Sequence, residues 1–299
     1  MAEILLATSE GILTFDGSGR PGEVQLAGEP VTWVARAADD LLAVVGGTEI
    51  RRRDGEGWTD VATLDGLDVT TLMSIDGEPW IGTSEAHLFH VRDDGLGRDD
   101  AFDAVDGRDA WFTPWGGPPA TRSIANWDDE VFVNVHVGGI PRTSDGGATW
   151  APTIDIDADV HQVTTTEDLV LAACAGGIAV SPDRGDSWSL RTDGLHHVYS
   201  RAVAVCGDQV FATSSDGPRG GRGAVYRGGL RGDGFERCDA GPGWFDGNID
   251  SHHLDALMEG PFVAFASPEG DVYASEDAGA SWDRVAEGLR GIRRLLVMP

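Results

Sequence analysis

Three octapeptides, TSDGGATW at 143–150, SPDRGDSW at 181–188 and SEDAGASW at 275–282, write one pattern three times. Thr or Ser, Asp, Gly, Thr or Ser, and Trp stand at the same offsets in each. A chain that repeats a turn this closely is an array of repeated supersecondary units, each needing its neighbours to bury its apolar face. The residue types are those of a tight hairpin. Asp145, Asp183 and Asp277 carry short carboxylates able to accept N–H bonds from their own turn. Gly147, Gly185 and Gly279 stand where a positive φ costs little. Trp150, Trp188 and Trp282 open the next strand and bring large apolar rings to wedge between units.

Around the octapeptides a larger unit recurs: apolar strand, turn, apolar strand, Gly turn, third strand, hairpin, fourth strand. First strands read VTWVARA (31), VTTLMSI (69), TRSIANW (121), VHQVTTT (160), SRAVAV (200) and HHLDALM (252). Second strands follow at LLAVVGG (41), PWIGTS (79), VFVNVHV (131), LVLAACA (169), QVFATSS (209) and FVAFAS (262). Both sets are rich in β-branched residues and bounded by Gly, Asp and Pro. The ends supply a seventh unit. GIRRLLVM at the C-terminus reads as a first strand; EILLATS, GILTFD and EVQLAG at the N-terminus read as strands two to four. Joining them closes a ring that would otherwise expose two sheet edges. Seven units give roughly 43 residues each, the spacing of a propeller blade. The expected fold is all-β: a seven-bladed β-propeller in one domain, 1–299, its blades at 290–299 with 1–30, 31–66, 67–107, 108–156, 157–195, 196–243 and 244–289.

The octapeptide resembles the Asp-box, or BNR repeat, of sialidase-like β-propellers, with a degenerate echo in RRRDGEGW at 51–58. The resemblance implies an antiparallel propeller with its Asp-boxes at the periphery of one face and its ligand site on the other, around the central axis. It implies nothing about catalysis, because Asp-boxes recur in enzymes and non-enzymes alike. The sialidase set is incomplete: two arginines, Arg122 and Arg201, begin inner strands, with Arg290 or Arg293 as a third. There is no F/Y-R-I-P motif, GIPR at 139–142 is not one, and no Glu stands beside Tyr199. The chain is therefore identified with a non-sialidase branch of the WD40/YVTN/BNR-like repeat proteins. Asp-box propellers also resemble photosystem assembly factors and receptor ectodomains, which keeps a non-catalytic binding or assembly scaffold as the alternative.

Composition narrows the partners. The net charge is −28, with 22 basic residues, all Arg, against 50 acidic ones. Such a surface repels nucleic acid and anionic membranes. It resembles the cytosolic proteins of salt-accumulating halophiles, in which acidity serves solvation. No run of 18 apolar residues exists, so no transmembrane helix is expected. The N-terminus lacks a basic region and a cleavage site, which predicts a cytoplasmic protein; a monomer is expected. Cys174, Cys206 and Cys238 are widely spaced, without C-x-x-C, and read as buried apolar residues.

Chemistry is expected on the loops between strands two and three and on the linkers entering each first strand. Seven of the eight His lie there, all but His90. His136, His161 and His252 come from blades four, five and seven and are the candidates to converge, as metal ligands, proton donors and acceptors, or ligand contacts. A divalent metal is the cofactor such a set would take, with Asp250 or Asp159 as a further ligand or orienter. No fixed-spacing metal motif is present. His161, His252 and Asp250 are the catalytic candidates; Trp115, Arg122, His136, Tyr199 and Arg201 the ligand-binding ones. Arg offers a donor fork for an anion or, equally, a salt bridge to the abundant Asp. Trp111 and Trp115 offer faces for stacking or a lid. Asp159 and Asp250 are the only carboxylate pair suited to glycosidase work. The expected ligand is a small polar or carbohydrate-like anion, and the expected activity that of a glycosyl hydrolase-like or metal-assisted hydrolase or lyase.

Overall fold

In the computed structural model, which describes residues 2–38, 40–55, 57–232 and 234–299, almost every element is a strand. In chain order these are β1 (Glu3–Thr8), β2 (Gly11–Asp16), β3 (Val31–Ala37), β4 (Asp40–Val45), β5 (Glu49–Asp54), β6 (Gly57–Thr63), β7 (Val69–Ile75), β8 (Glu78–Thr83), β9 (Leu88–Arg92) and β10 (Gly95–Arg98). Then come β11 (Thr121–Trp127), β12 (Glu130–Val135), β13 (Pro141–Thr143), β14 (Ala151–Pro152), β15 (Val160–Thr165), β16 (Val170–Cys174), β17 (Gly177–Ser181) and β18 (Ser189–Arg191). The last are β19 (Val203–Cys206), β20 (Gln209–Ser214), β21 (Ala224–Gly229), β22 (Glu236–Arg237), β23 (Leu254–Ala256), β24 (Val263–Ala266), β25 (Val272–Ser275), β26 (Asp283–Ala286) and β27 (Arg294–Met298).

Six four-stranded sheets run consecutively, β3–β6 to β23–β26, and a seventh orders β2-β1-β27 from the two chain ends. These are the blades of a seven-bladed β-propeller. The chain packs as two compact units. One comprises the residues up to Pro30, Ala172–Val180 and Ser189–Pro299; the other Val31–Leu171 and Ser181–Trp188.

Burial falls from the second strand outward. The strands β4, β8 and β12 are buried along nearly their whole length, as continuous apolar runs require. The fourth strands β10, β14 and β22 are exposed throughout. In the second unit, Trp33, Leu42, Ile50, Leu72 and Ile81 form one core between consecutive sheets. Trp80, Phe102, Trp111, Val131, Val133 and Val135 form the next. In the first unit, Phe211, Phe245, Phe265 and Tyr273 do the same. Each fully buried Phe contributes about 2–3 kcal/mol, so these seams hold sheet to sheet.

The three octapeptides form one hairpin with one hydrogen-bond network. Asp145 Oδ1 accepts from the Thr149 amide at 2.9 Å and Oδ2 from its hydroxyl at 2.7 Å. Thr143 Oγ1 donates to Asp145 at 2.8 Å and accepts from the Gly147 amide at 3.0 Å. Ser181, Asp183, Gly185 and Ser187 repeat it, as do Ser275, Asp277, Gly279 and Ser281. Gly147 has φ of 91°, and a Cβ there would lie 2.7 Å from Asp99 Oδ2. The Trp side chains wedge as the sequence predicts. Trp282 packs edge-on against Phe265 at 5.2 Å and Phe211 of the preceding sheet at 6.2 Å.

The structure corrects the sequence reading in two places and adds one element. EVQLAG is no strand: Gln25 and Pro21 make only isolated bridges to Ile12 and Phe15. RRRDGEGW closes more tightly than an octapeptide hairpin, with Asp54 paired to Gly57; its Glu56 lies outside the described residues. The linker after β10 contains a short helix, Asp100–Asp103, which the alternating pattern did not signal. Asp99 caps it by accepting from the Phe102 amide at 2.7 Å, and the buried Phe102 anchors it.

Candidate functional site

His136 follows β12 in a turn closed by Val135 and Gly139, where Val135 N donates to Gly139 O at 3.0 Å. The His136 amide is tied to Ala120 O at 2.9 Å. Val137 has φ of 55°. A β-branched residue in the left-handed region is a backbone outlier, and such strain concentrates at functional sites. Asp159, at φ 47°, ends the 3-10 turn Ile156–Ala158, whose start Asp155 caps by accepting from Asp157 N at 2.9 Å. Two residues on, His161 enters β15 and is 1% exposed.

These three side chains meet. His136 Nε2 stands 3.3 Å from Asp159 Oδ1 and His161 Nε2 stands 3.6 Å from Asp159 Oδ2. The imidazole centroids are 5.9 Å apart. Among the described residues, this is the group in which three metal-ligating atoms lie within 4.8 Å of one another. The two imidazoles, His136 foremost, hold the Asp159 carboxyl far below the ordinary carboxylate range. Burial pushes His136 down, against the pull of Asp159 and with help from the nearby Arg122 guanidinium.

Trp115 and Arg122 reach the same place by different devices. Thr113 O accepts from Gly116 N at 3.0 Å, closing a turn with Pro114 at its second position, which presets the chain direction. Thr113 Oγ1 donates to Gly117 O at 3.1 Å and tightens it. Trp115 stands at the tip, 67% exposed, its ring 5.0 Å from that of His136. Trp111 is instead buried against Phe102, with Arg108 stacked over it at 4.9 Å. The ladder between β11 and β12 slips between Thr121 and Ser123, which leaves Arg122 as the extra residue of a bulge. A bulge re-aims a side chain out of the strand's alternation. The same slip falls between Val31 and Trp33 and between Val69 and Thr71, where the bulged residues are Thr32 and Thr70.

The remaining candidates lie in the other unit, and each has a partner. Arg201 and Asp250 contact each other through Nη1 and Oδ1. Arg201 Nη2 also donates to Pro218 O at 3.1 Å, and its guanidinium lies 5.5 Å from the Tyr199 ring centre. Tyr199 is 9% exposed, and its backbone oxygen accepts from the Ser215 amide at 3.0 Å. Arg201 and Asp250 line a cleft of about 430 Å³ with Pro218, Asn248 and His253. Arg294 Nη1 donates to His252 Nδ1 at 2.9 Å, which favours the tautomer with its proton on Nε2 and leaves neither nitrogen free for a metal. His87 is engaged by Asp103, Arg98 and Arg108, and His196 by the Tyr226 hydroxyl at 2.7 Å.

Asp159 emerges as central where the sequence offered it only as one of two carboxylates. The signal was there: NVH at 134–136 and DVH at 159–161 both place a polar residue two before a His. What the sequence lacked was the turn that folds Asp159 back between the two imidazoles.

No protein-family model matches the chain, and no curated protein matches it in sequence. Solved structures share its fold. The chain is similar to the computationally designed Ika8 protein, with a TM-score of 0.61 and 14% identity over 96% of this chain and 85% of that one. It is similar to YCF48 bound to D1 peptide, with a TM-score of 0.58 and 14% identity over 94% and 83%. An ancestral GH74 enzyme gives a TM-score of 0.64 at 13% identity, over 86% of this chain and 38% of the enzyme. At these identities the likeness is one of fold, and the fold is the propeller.

Proposed function

We propose that this protein is a hydrolase or lyase acting on a small polar or carbohydrate-like anion at the site formed by Trp115, Arg122, His136, Asp159 and His161. The observation that carries the reading is the convergence of two buried imidazoles on one carboxylate beneath an exposed indole. In this reading Trp115 offers a face for a sugar-like ring and Arg122 a donor fork for the anionic group. Asp159 and the imidazoles of His136 and His161 form the polar centre that faces the scissile bond. Asp250, Arg201, Tyr199 and His252 take no part, because their polar groups are already engaged with one another, with Arg294 or with backbone. Likeness in fold to a glycoside hydrolase is consistent with the reading. A scaffold role has only the equally general likeness to YCF48 in its favour.

The test is a thermal-shift and hydrolysis screen in high salt with uronic acids, sugar phosphates and their methyl glycosides. A ligand should raise the melting temperature of the wild type. Trp115→Ala, at an exposed position, and Arg122→Ala should each weaken it by about tenfold or more. Equal binding by wild type and both variants, or no ligand in the panel, would remove the reading.

A further inference from the structure

We infer that His136, Asp159 and His161 hold a divalent transition metal of the zinc class, each through one donor atom, with a fourth position open to water or an anion. The inference rests on the proposed site and names its cofactor. The spacing of the donor atoms favours a metal centre over a plain His–Asp network. A charge-assisted N–H···O bond runs about 2.7–2.9 Å. Donors about 2.0–2.1 Å from a tetrahedral ion stand roughly 3.3–3.4 Å from one another. His136 Nε2 stands 3.3 Å from Asp159 Oδ1, the second spacing, His161 Nε2 stands 3.6 Å from the other carboxylate oxygen, and one donor atom from each of the three residues lies within 4.8 Å of the others. Asp159 Oδ1 is buried and faces His136 Nε2 at 3.3 Å, longer than a charge-assisted bond.

The donor set suits such an ion. Imidazole nitrogen with one carboxylate is borderline in softness and favours zinc-like ions over calcium or magnesium, which prefer oxygen cages. Three protein ligands with one open position is the pattern of a catalytic rather than a structural zinc. A second observation comes from below. Asn134 is 0% exposed, and neither its amide nitrogen nor its oxygen has a hydrogen-bond partner. By strand alternation it faces away from Val131, Val133 and Val135, which enter the core. A fully buried amide is normally satisfied, and this one stands two residues before His136 in the chain.

The experiment titrates metal-free protein with Zn²⁺ by calorimetry in concentrated KCl with excess Mg²⁺, so that acidic surface sites are occupied. Wild type should take up one equivalent. Asp159→Asn and His161→Gln should each weaken binding by more than the roughly 10–100-fold lost when a partner behind a metal ligand is removed. Melting of both variants in EDTA at the wild-type temperature establishes that they fold. The Co²⁺-loaded wild type should show the visible absorption of a four- or five-coordinate site, absent in Asp159→Asn. Equal Zn²⁺ affinity in wild type and variants, or no stoichiometric uptake, overturns the assignment. Repeating the ligand screen in EDTA separates the two proposals. Ligand binding without metal uptake retains the site and rejects the metal; metal uptake without any ligand retains the metal and rejects the substrate class.

Discussion

Trp150 Nε1 donates to Asp99 Oδ2 at 3.2 Å, and the same oxygen accepts from His90 Nε2 at 3.0 Å. The hairpin of one sheet is thereby fastened to a buried carboxylate that also caps the short helix of the preceding linker. The indole adds packing, edge-on to Phe102 at 5.0 Å and Trp80 at 6.4 Å.

The two contributions separate by substitution. Trp150→Phe keeps much of the packing and removes one bond to a carboxylate that retains two others, so it should cost about 1–2 kcal/mol. Trp150→Ala should cost about 3 kcal/mol, because a cavity opens between sheets. Urea unfolding in constant high salt measures both. Equal losses would mean that the ring packing contributes nothing.

The octapeptide hairpins should make the fold acid-sensitive. The Ser281 hydroxyl and amide bonds bring the Asp277 carboxyl down to about 2, and the matching bonds from Thr149 and Ser187 lower Asp145 and Asp183. A carboxylate depressed in the folded state contributes stability above its unfolded pKa of about 3.9 and loses it as pH falls through the folded value. The melting temperature should therefore fall between about pH 4 and pH 2. The fall should be shallower when all three are changed to Asn. An unchanged slope in the triple variant would show that these carboxylates do not set the acid limit.

Arg201 and Asp250 should behave as a coupled pair. Their side chains are 20% and 49% exposed, so solvent screens the interaction. A double-mutant cycle with Arg201→Ala and Asp250→Ala should give a coupling of about 0.5–1 kcal/mol, shrinking as salt rises. Additive losses would show that the contact carries no net energy.

The thiols should be silent in the native protein. Cys174, Cys206 and Cys238 are buried thiols, none in a disulfide. Burial pushes the Cys206 thiol up to about 11 and the Cys238 thiol up to about 12. Thiolate is the reactive form, so an aromatic disulfide reagent at pH 8 should titrate no thiol until denaturant is added, and then all three. Rapid native labelling would mean that the sheets open locally.

The sequence by itself determined the seven blades, their order and their joining through both termini. Strand periodicity and turn chemistry are local, and TSDGGATW carries the hydrogen bonds that close its turn within eight residues. His136 and His161 stand at strand ends in the sequence reading and in the structure alike. Only the tertiary structure decided how the polar residues pair. Asp159 reaches His136 through a left-handed turn, Arg122 leaves its strand's alternation at a bulge, and Arg201 meets Asp250, 49 positions away. A single carboxylate or guanidinium takes its partner from side-chain packing across sheets, and nothing in its own sequence neighbourhood encodes that choice.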